Sequence, residues 1–226
     1  MKTGYTKVVF VVDRSGSMSS IAKDMEGGFK SFIEDQKKNN VGQCDVSLYQ
    51  FDTQYDVVFE NRDIQSEFKY TLIPRGSTAM NDAIGRTINT VGETLAKMNE
   101  ADRPDRVLFV IVTDGAENAS KEFTTKQVKE LIDRQSNEYN WTFTYLGANQ
   151  DAWAIGAAMG ISKDAVLNYA ANTSGVLNSW NSLNSKVSAF RGSQDAFLAK
   201  SLVSYNEEDI KLQDEAVKKP SKSTKT

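Results

Sequence analysis

Five consecutive apolar residues, Val8-Val9-Phe10-Val11-Val12, run without interruption into Asp13-Arg14-Ser15-Gly16-Ser17. An unbroken β-branched and aromatic run of this length reads as a strand buried on both faces. Beyond Ser17, the residues Met18, Ile21, Met25, Phe29 and Phe32 recur at three- and four-residue intervals, which is one face of a helix. Asp13, Ser15 and Ser17 therefore fall in the loop between the carboxyl end of a central strand and a helix. In an open α/β sheet that is where ligands bind. Three oxygen-bearing side chains at alternate positions, with Gly16 permitting a tight turn, suit a hard cation such as Mg2+.

The same logic recurs once. Val107–Val112 is a second wholly apolar run, and it ends in Thr113-Asp114-Gly115. It is expected beside the first strand at the centre of the sheet. Between the two, Cys44–Phe51 and Tyr55–Phe59 alternate and are joined by a short turn. That predicts a hairpin whose outer strand runs antiparallel, with a wetter face at Asp45 and Ser47 and with Asp52 and Asp56 solvated. Pro74-Arg75-Gly76-Ser77-Thr78 then leads into a long helix marked by Met80, Ile84, Ile88, Val91, Leu95 and Met98. Further on come a capping box at Thr124 and Gln127, a strand at Trp141–Leu146 and a short helix at Ala152–Met159. A last edge strand is read at Ala165–Tyr169, followed by a helix about 174–191. Trp141, Trp153 and Trp180 occupy core positions of these patterns. The alternation predicts a doubly wound, mostly parallel sheet with one antiparallel edge strand and helices on both faces. The organisation is one domain over 1–204 with its core at 7–170, then a charged tail at 205–226 that reads as disordered.

Composition removes several function classes. The 226 residues include no histidine and a single cysteine, Cys44. Ser-His-Asp and Cys-His catalysis, imidazole zinc sites and an internal disulfide are all excluded. A net charge of -3 gives no electrostatic case for nucleic acid. There is no apolar run of about 18 residues and no recognisable signal peptide, so a cytoplasmic protein without a membrane span is expected.

Each motif has a plainer reading. Ser17 can simply cap a helix, Asp114-Gly115 can serve a turn, and Gly76-Ser77-Thr78 can be another helix start. Together, however, they resemble the von Willebrand factor type A (VWA) domain, whose metal-ion-dependent adhesion site is Asp-x-Ser-x-Ser, then a Thr, then an Asp. All five positions are present: Asp13, Ser15, Ser17, Thr78 and Asp114. The resemblance runs from about Lys7 to Tyr169 and is more to stand-alone VWA proteins of bacteria and phages than to the secreted adhesive members, and so would add a virion as a second location. It implies that the hydroxyls of Ser15, Ser17 and Thr78 touch the metal, while Asp13 and Asp114 act largely through water. Mg2+ is the expected ion, with Mn2+ or Ca2+ as alternatives. It further implies a protein partner that donates an Asp or Glu carboxylate to the metal, and no enzymatic activity; self-association is left open. Asp82, Gly16, Gly76, Ser77 and Gly115 are the expected supports of the site, Asp82 alternatively serving only the helix dipole. Two other functions compete. One is a structural component of a larger assembly that uses the fold as scaffold, with contacts carried by the chain after Phe190. The other is a metal-dependent phosphohydrolase, disfavoured because Ser15 stands where a second acid would be needed.

Overall fold

The computed structural model describes residues 1–39, 41–149 and 151–218. Its six strands are β1 (Lys2–Asp13), β2 (Gln43–Phe51), β3 (Tyr55–Asp63), β4 (Pro104–Thr113), β5 (Thr142–Gly147) and β6 (Val166–Asn168). They form one sheet in the order β3-β2-β1-β4-β5-β6. All neighbours are parallel except β2 and β3, which pair antiparallel. The helices are α1 (Ala22–Lys38), α2 (Met80–Lys97), α3 (Thr125–Glu138), α4 (Ala152–Ala158), α5 (Thr173–Gly192), α6 (Ala196–Ala199) and α7 (Glu207–Lys218). None of the described helices is long and apolar enough to cross a membrane.

The apolar run of β1 explains the layering, because successive side chains leave a strand on opposite faces. Val8, Phe10 and Val12 enter a core shared with α1 and α5. Val9 and Val11 enter the opposite core, which is closed by α2, α3 and α4. The chain leaves β1 toward one face and reaches β4 from the other, so a crevice opens at the carboxyl ends of these two neighbours.

Several local expectations are corrected. A 3-10 turn over Gly16–Ser20 precedes α1, because the Ser17 hydroxyl bonds elsewhere and Ser15 has no capping bond. The supposedly wet face of β2 is closed: the Ser47 hydroxyl is buried and accepts from Lys7 Nζ at 3.2 Å and Asn61 N at 3.0 Å. A register shift in the β2–β3 ladder, where Leu48 faces Phe59 but Tyr49 faces Val57, breaks the alternation read for Tyr55, Val57 and Phe59. Tyr55 packs toward α2, Phe59 toward α1, and Val57 is exposed. Trp141 and Trp180 are core residues, whereas Trp153 is exposed with Lys163 Nζ 5.2 Å above its ring.

The charged tail expected from 205 onward is instead helical over Glu207–Lys218. Its buried residues, Asp209, Gln213 and Ala216, share one helical face. Asp209 pairs with Lys186 at 2.8 Å, and Gln213 accepts from Ala170 N and donates to the Gly175 carbonyl. A helix that docks through polar groups leaves no apolar period to read. The expectation for 219–226 lies outside the described residues.

Candidate functional site

The crevice at the carboxyl ends of β1 and β4 collects all five candidate residues. Asp13 ends β1 and is fully buried. Its Oδ1 accepts from Ser15 N at 2.6 Å and its Oδ2 from Thr113 Oγ1 at 2.6 Å. Ser17 Oγ lies 3.0 Å from Ser15 Oγ and donates to Asp114 Oδ1 at 2.6 Å. With its own proton committed to Asp114, Ser17 Oγ can act only as acceptor within the hydroxyl pair. Thr78 enters from the loop ahead of α2. A Cβ built on Gly115 would lie 3.0 Å from Thr78 Oγ1, 3.3 Å from Ser17 Oγ and 3.6 Å from Asp13 Oδ2. Gly115 is thus the point on which the three side chains converge, and a larger residue there would be forced against them.

The charge of this cluster is uncompensated. Burial raises the Asp13 carboxyl to about 6, against the lowering effect of its hydrogen bonds, and burial likewise raises Asp114. Among the described residues neither forms an ion pair, since the adjacent Arg14 turns away to Asp52 and Asp56 at 2.9 and 2.6 Å. Asp114 Oδ2 is buried without a hydrogen-bond partner among the described residues. Two unpaired buried acids are costly unless a cation joins them. The donor set fits a hard divalent ion: hydroxyl lone pairs, an orphaned carboxylate oxygen, and the space kept clear by Gly115. Among the described residues no three Asp, Glu or Cys side chains form a cation site by themselves. Hydroxyls must therefore make up the donor set.

The supporting residues divide by role. Gly16 N donates to the Gly76 carbonyl at 3.2 Å, and Gly76 has a φ of 67°, so these two glycines bring the loops before α1 and α2 together. Ser77 is exposed and makes no hydrogen bond among the described residues. Asp82 does more than sit at a helix start. It accepts from the backbone N–H groups of Lys121, Glu122 and Phe123, each at 2.8 Å, and so pins the loop that follows Asp114.

Sequence reasoning missed three residues of that loop. Glu117 accepts from Asn81 N, Ala119 N, Ser120 N and Ser120 Oγ. Asn118 Oδ1 accepts from Thr78 N at 2.9 Å while Asn118 N donates to the Thr78 carbonyl at 3.0 Å, and Ser120 Oγ accepts from Asp82 N. The density of Asp, Glu, Asn and Ser between Asp114 and Glu122 was the available signal. Asp52, expected in solvent, is buried between Arg14 and Arg75 at 2.9 and 2.8 Å. Burial opposes its charge, but the bonds from Arg75, Gln54 N and Arg14 outweigh it and keep the carboxyl below its usual range. Asp151 caps α4 through Ala154 N, while Asn149, two residues beyond β5, has a φ of 55°.

The family model of the von Willebrand factor type A domain matches residues 7–182. The chain belongs to the VWA family. No curated protein matches it. Solved structures share the VWA fold at low identity. Proximal thread matrix protein 1 from the mussel byssus, in a form with a zinc-occupied MIDAS motif, is 12% identical with a TM-score of 0.57, over 80% of this chain and 45% of that one. The PilB minor pilin of Streptococcus sanguinis is 11% identical with a TM-score of 0.54, over 81% and 61%. The vWF domain of the type V pili tip protein Mfa5 from Porphyromonas gingivalis is 10% identical with a TM-score of 0.53, over 79% and 95%. This VWA chain thus spans less than two thirds of the mussel protein and of the pilin.

Proposed function

We propose that the chain is a divalent-metal-dependent protein-binding module that works by association rather than turnover. Mg2+ is the ion, and an Asp or Glu carboxylate of a partner protein is its external ligand. The orphaned Asp114 Oδ2, buried beside a hydroxyl whose proton already points at Asp114, is the observation that carries this reading. Ser15, Ser17 and Thr78 offer hydroxyl oxygens to the ion, and Asp13 and Asp114 supply the compensating charge. A bound ion supplies Lewis acidity toward a carboxylate oxygen. The chain's own residues orient the hydroxyls, hold the two acids in place and fix the loop after β4. That a minor pilin, a pilus tip protein and a thread matrix protein share the fold supports a role in protein assembly.

Two measurements test the reading. Titration of metal-free protein with MgCl2 is expected to show saturable binding that falls at least tenfold in Asp114→Ala, the variant first being checked for folding by circular dichroism. Pull-down from cognate lysate is expected to retain a partner in Mg2+ and lose it in EDTA and in that variant. A partner indifferent to both would overturn the metal-dependent reading, and phosphate-ester turnover abolished by Asp13→Asn would overturn the non-enzymatic one.

A further inference from the structure

The opposite pole of the sheet holds a cleft of about 510 Å³ that the metal site does not use. It lies between the carboxyl-terminal halves of α2 and α3, near the starts of β4 and β5. Ile88, Val107 and Trp141, all buried core residues, line its apolar part. Its volume falls within the roughly 300–1,000 Å³ typical of small-ligand sites.

Two glycines of α2 show that the opening is a property of the helix pair. At Gly85 a Cβ would lie 2.6 Å from the Phe123 ring, so glycine is needed there for close packing. At Gly92, which lines the cleft, the nearest atom to a Cβ is Gln135 Nε2 at 3.7 Å, an ordinary contact. A glycine inside a helix is destabilising relative to alanine, and no neighbour requires one at this position. What its missing side chain preserves is the space.

The charges of the cleft indicate what fills that space. Its acids are Glu93, Glu100, Asp105 and Glu138, and its bases are Arg103 and Arg134. Arg134 is engaged by Glu138 at 3.3 Å and by the Tyr139 ring. Arg103 donates to the carbonyls of Met98 and Ala96. Asp105 accepts from Gly4 N and lies 3.8 Å from Arg106. The side-chain carboxylates of Glu93 and Glu100 have no partner among the described residues. The side chains of the cleft thus carry four carboxylates against two guanidinium groups; Glu93 and Glu100, with the buried Asp105 Oδ1, are the acid groups left without a partner among the described residues, beside an aromatic and aliphatic wall. We infer that this cleft binds an organic cation, an ammonium or guanidinium group carried on an apolar body, either a free amine or a Lys or Arg side chain next to an apolar residue. Anionic bodies of the same shape are rejected by Glu93 and Glu100.

The test uses the full chain labelled with ¹⁵N and two probes of matched shape, tryptamine and indole-3-propionate. Tryptamine is expected to shift the Trp141 indole signal saturably and to bind at least tenfold more tightly than the acid. Gly92→Leu, which fills the cleft, is expected to abolish the shift with no loss of thermal stability. Glu93→Gln with Glu100→Gln changes two exposed side chains and is expected to remove the preference for the amine even if Gly92→Leu perturbs folding. An acetylated Trp-Lys peptide that displaces tryptamine and binds more tightly would assign the cation to a protein side chain, whereas weaker binding would assign it to a free amine. Equal affinity for amine and acid, or tryptamine binding unchanged by the double substitution, overturns the inference.

Discussion

Trp180→Ala is expected to destabilise the fold by about 3–5 kcal/mol, the range for removing a buried large aromatic side chain. The indole of Trp180 is buried where α5 crosses α1, with ring centroids 5.9 Å from Phe10, 6.0 Å from Phe29 and 6.0 Å from Phe32. It closes on the backbone of α1 at Gly28, where a Cβ would lie 2.0 Å from Trp180 Cδ1. For a chain of this size each kcal/mol corresponds to about 2–4 °C, so melting should fall by roughly 10 °C. The geometry also predicts a change of sign. Gly28→Ala alone should destabilise by about 1–3 kcal/mol through overpacking. In the Trp180→Ala background the same methyl enters empty space and removes a helical glycine, which stabilises by roughly 0.5–1 kcal/mol. Urea unfolding of the two single variants and the double variant measures the coupling. Additive effects would mean that the indole does not seat on Gly28.

Asp82→Ala is expected to cost about 3 kcal/mol and to abolish metal-dependent partner binding, because it strips a charged acceptor from three backbone N–H groups at once. Those three donors, on Lys121, Glu122 and Phe123, end the loop that carries Asp114, Glu117 and Asn118. Loosening that loop also loosens the reciprocal Thr78–Asn118 bonds. A variant that melts like the parent yet still binds its partner through metal would refute the assignment. The same carboxylate predicts a pH dependence. Burial works against its charge, but the three N–H donors, with Arg86 nearby, outweigh burial and hold the carboxyl below its ordinary range. The nearby ionised groups are Arg86 on its own helix and Glu122, paired with Arg86, on the loop. A group with a lowered folded-state pKa stabilises above its unfolded value of about 4 and loses that contribution as pH falls through the folded value. The stability gap between the parent and Asp82→Asn should therefore be full at pH 6 and shrink below about pH 4, as read by chemical unfolding at each pH.

Much of the architecture was legible because it rests on local regularities. The runs at Val8–Val12 and Val107–Val112 could only be buried strands, and the structure pairs them as β1 and β4 in parallel register. The capping box at Thr124 and Gln127 is present as read. Elements whose burial depends on polar partners were not legible. Asp52 looks like a solvated turn residue until Arg14 and Arg75 close over it. The polar face of α7 looks like a tail until Lys186, Ala170 and Gly175 supply its partners. The slip in the β2–β3 ladder inserts one residue and cancels an alternation that looked regular.

The candidate site divides along the same line. By itself the sequence determined which side chains stand at the ends of the central strands, since hydrophobic run length and the acid that stops each run are local facts. Asp13, Ser15, Ser17, Thr78 and Asp114 are all found at that edge. Only the tertiary structure decided that Ser17 gives its proton to Asp114, 97 positions away, that Asp114 Oδ2 is left without a partner, and that Glu117, Asn118 and Asp82 lock the loop between them. Those are contacts between segments far apart in the chain, and their energy exists only once the sheet has brought the loops together. A periodic pattern can place a residue at the edge of a sheet, but the partner of a hydrogen bond is set by the packing of the whole molecule.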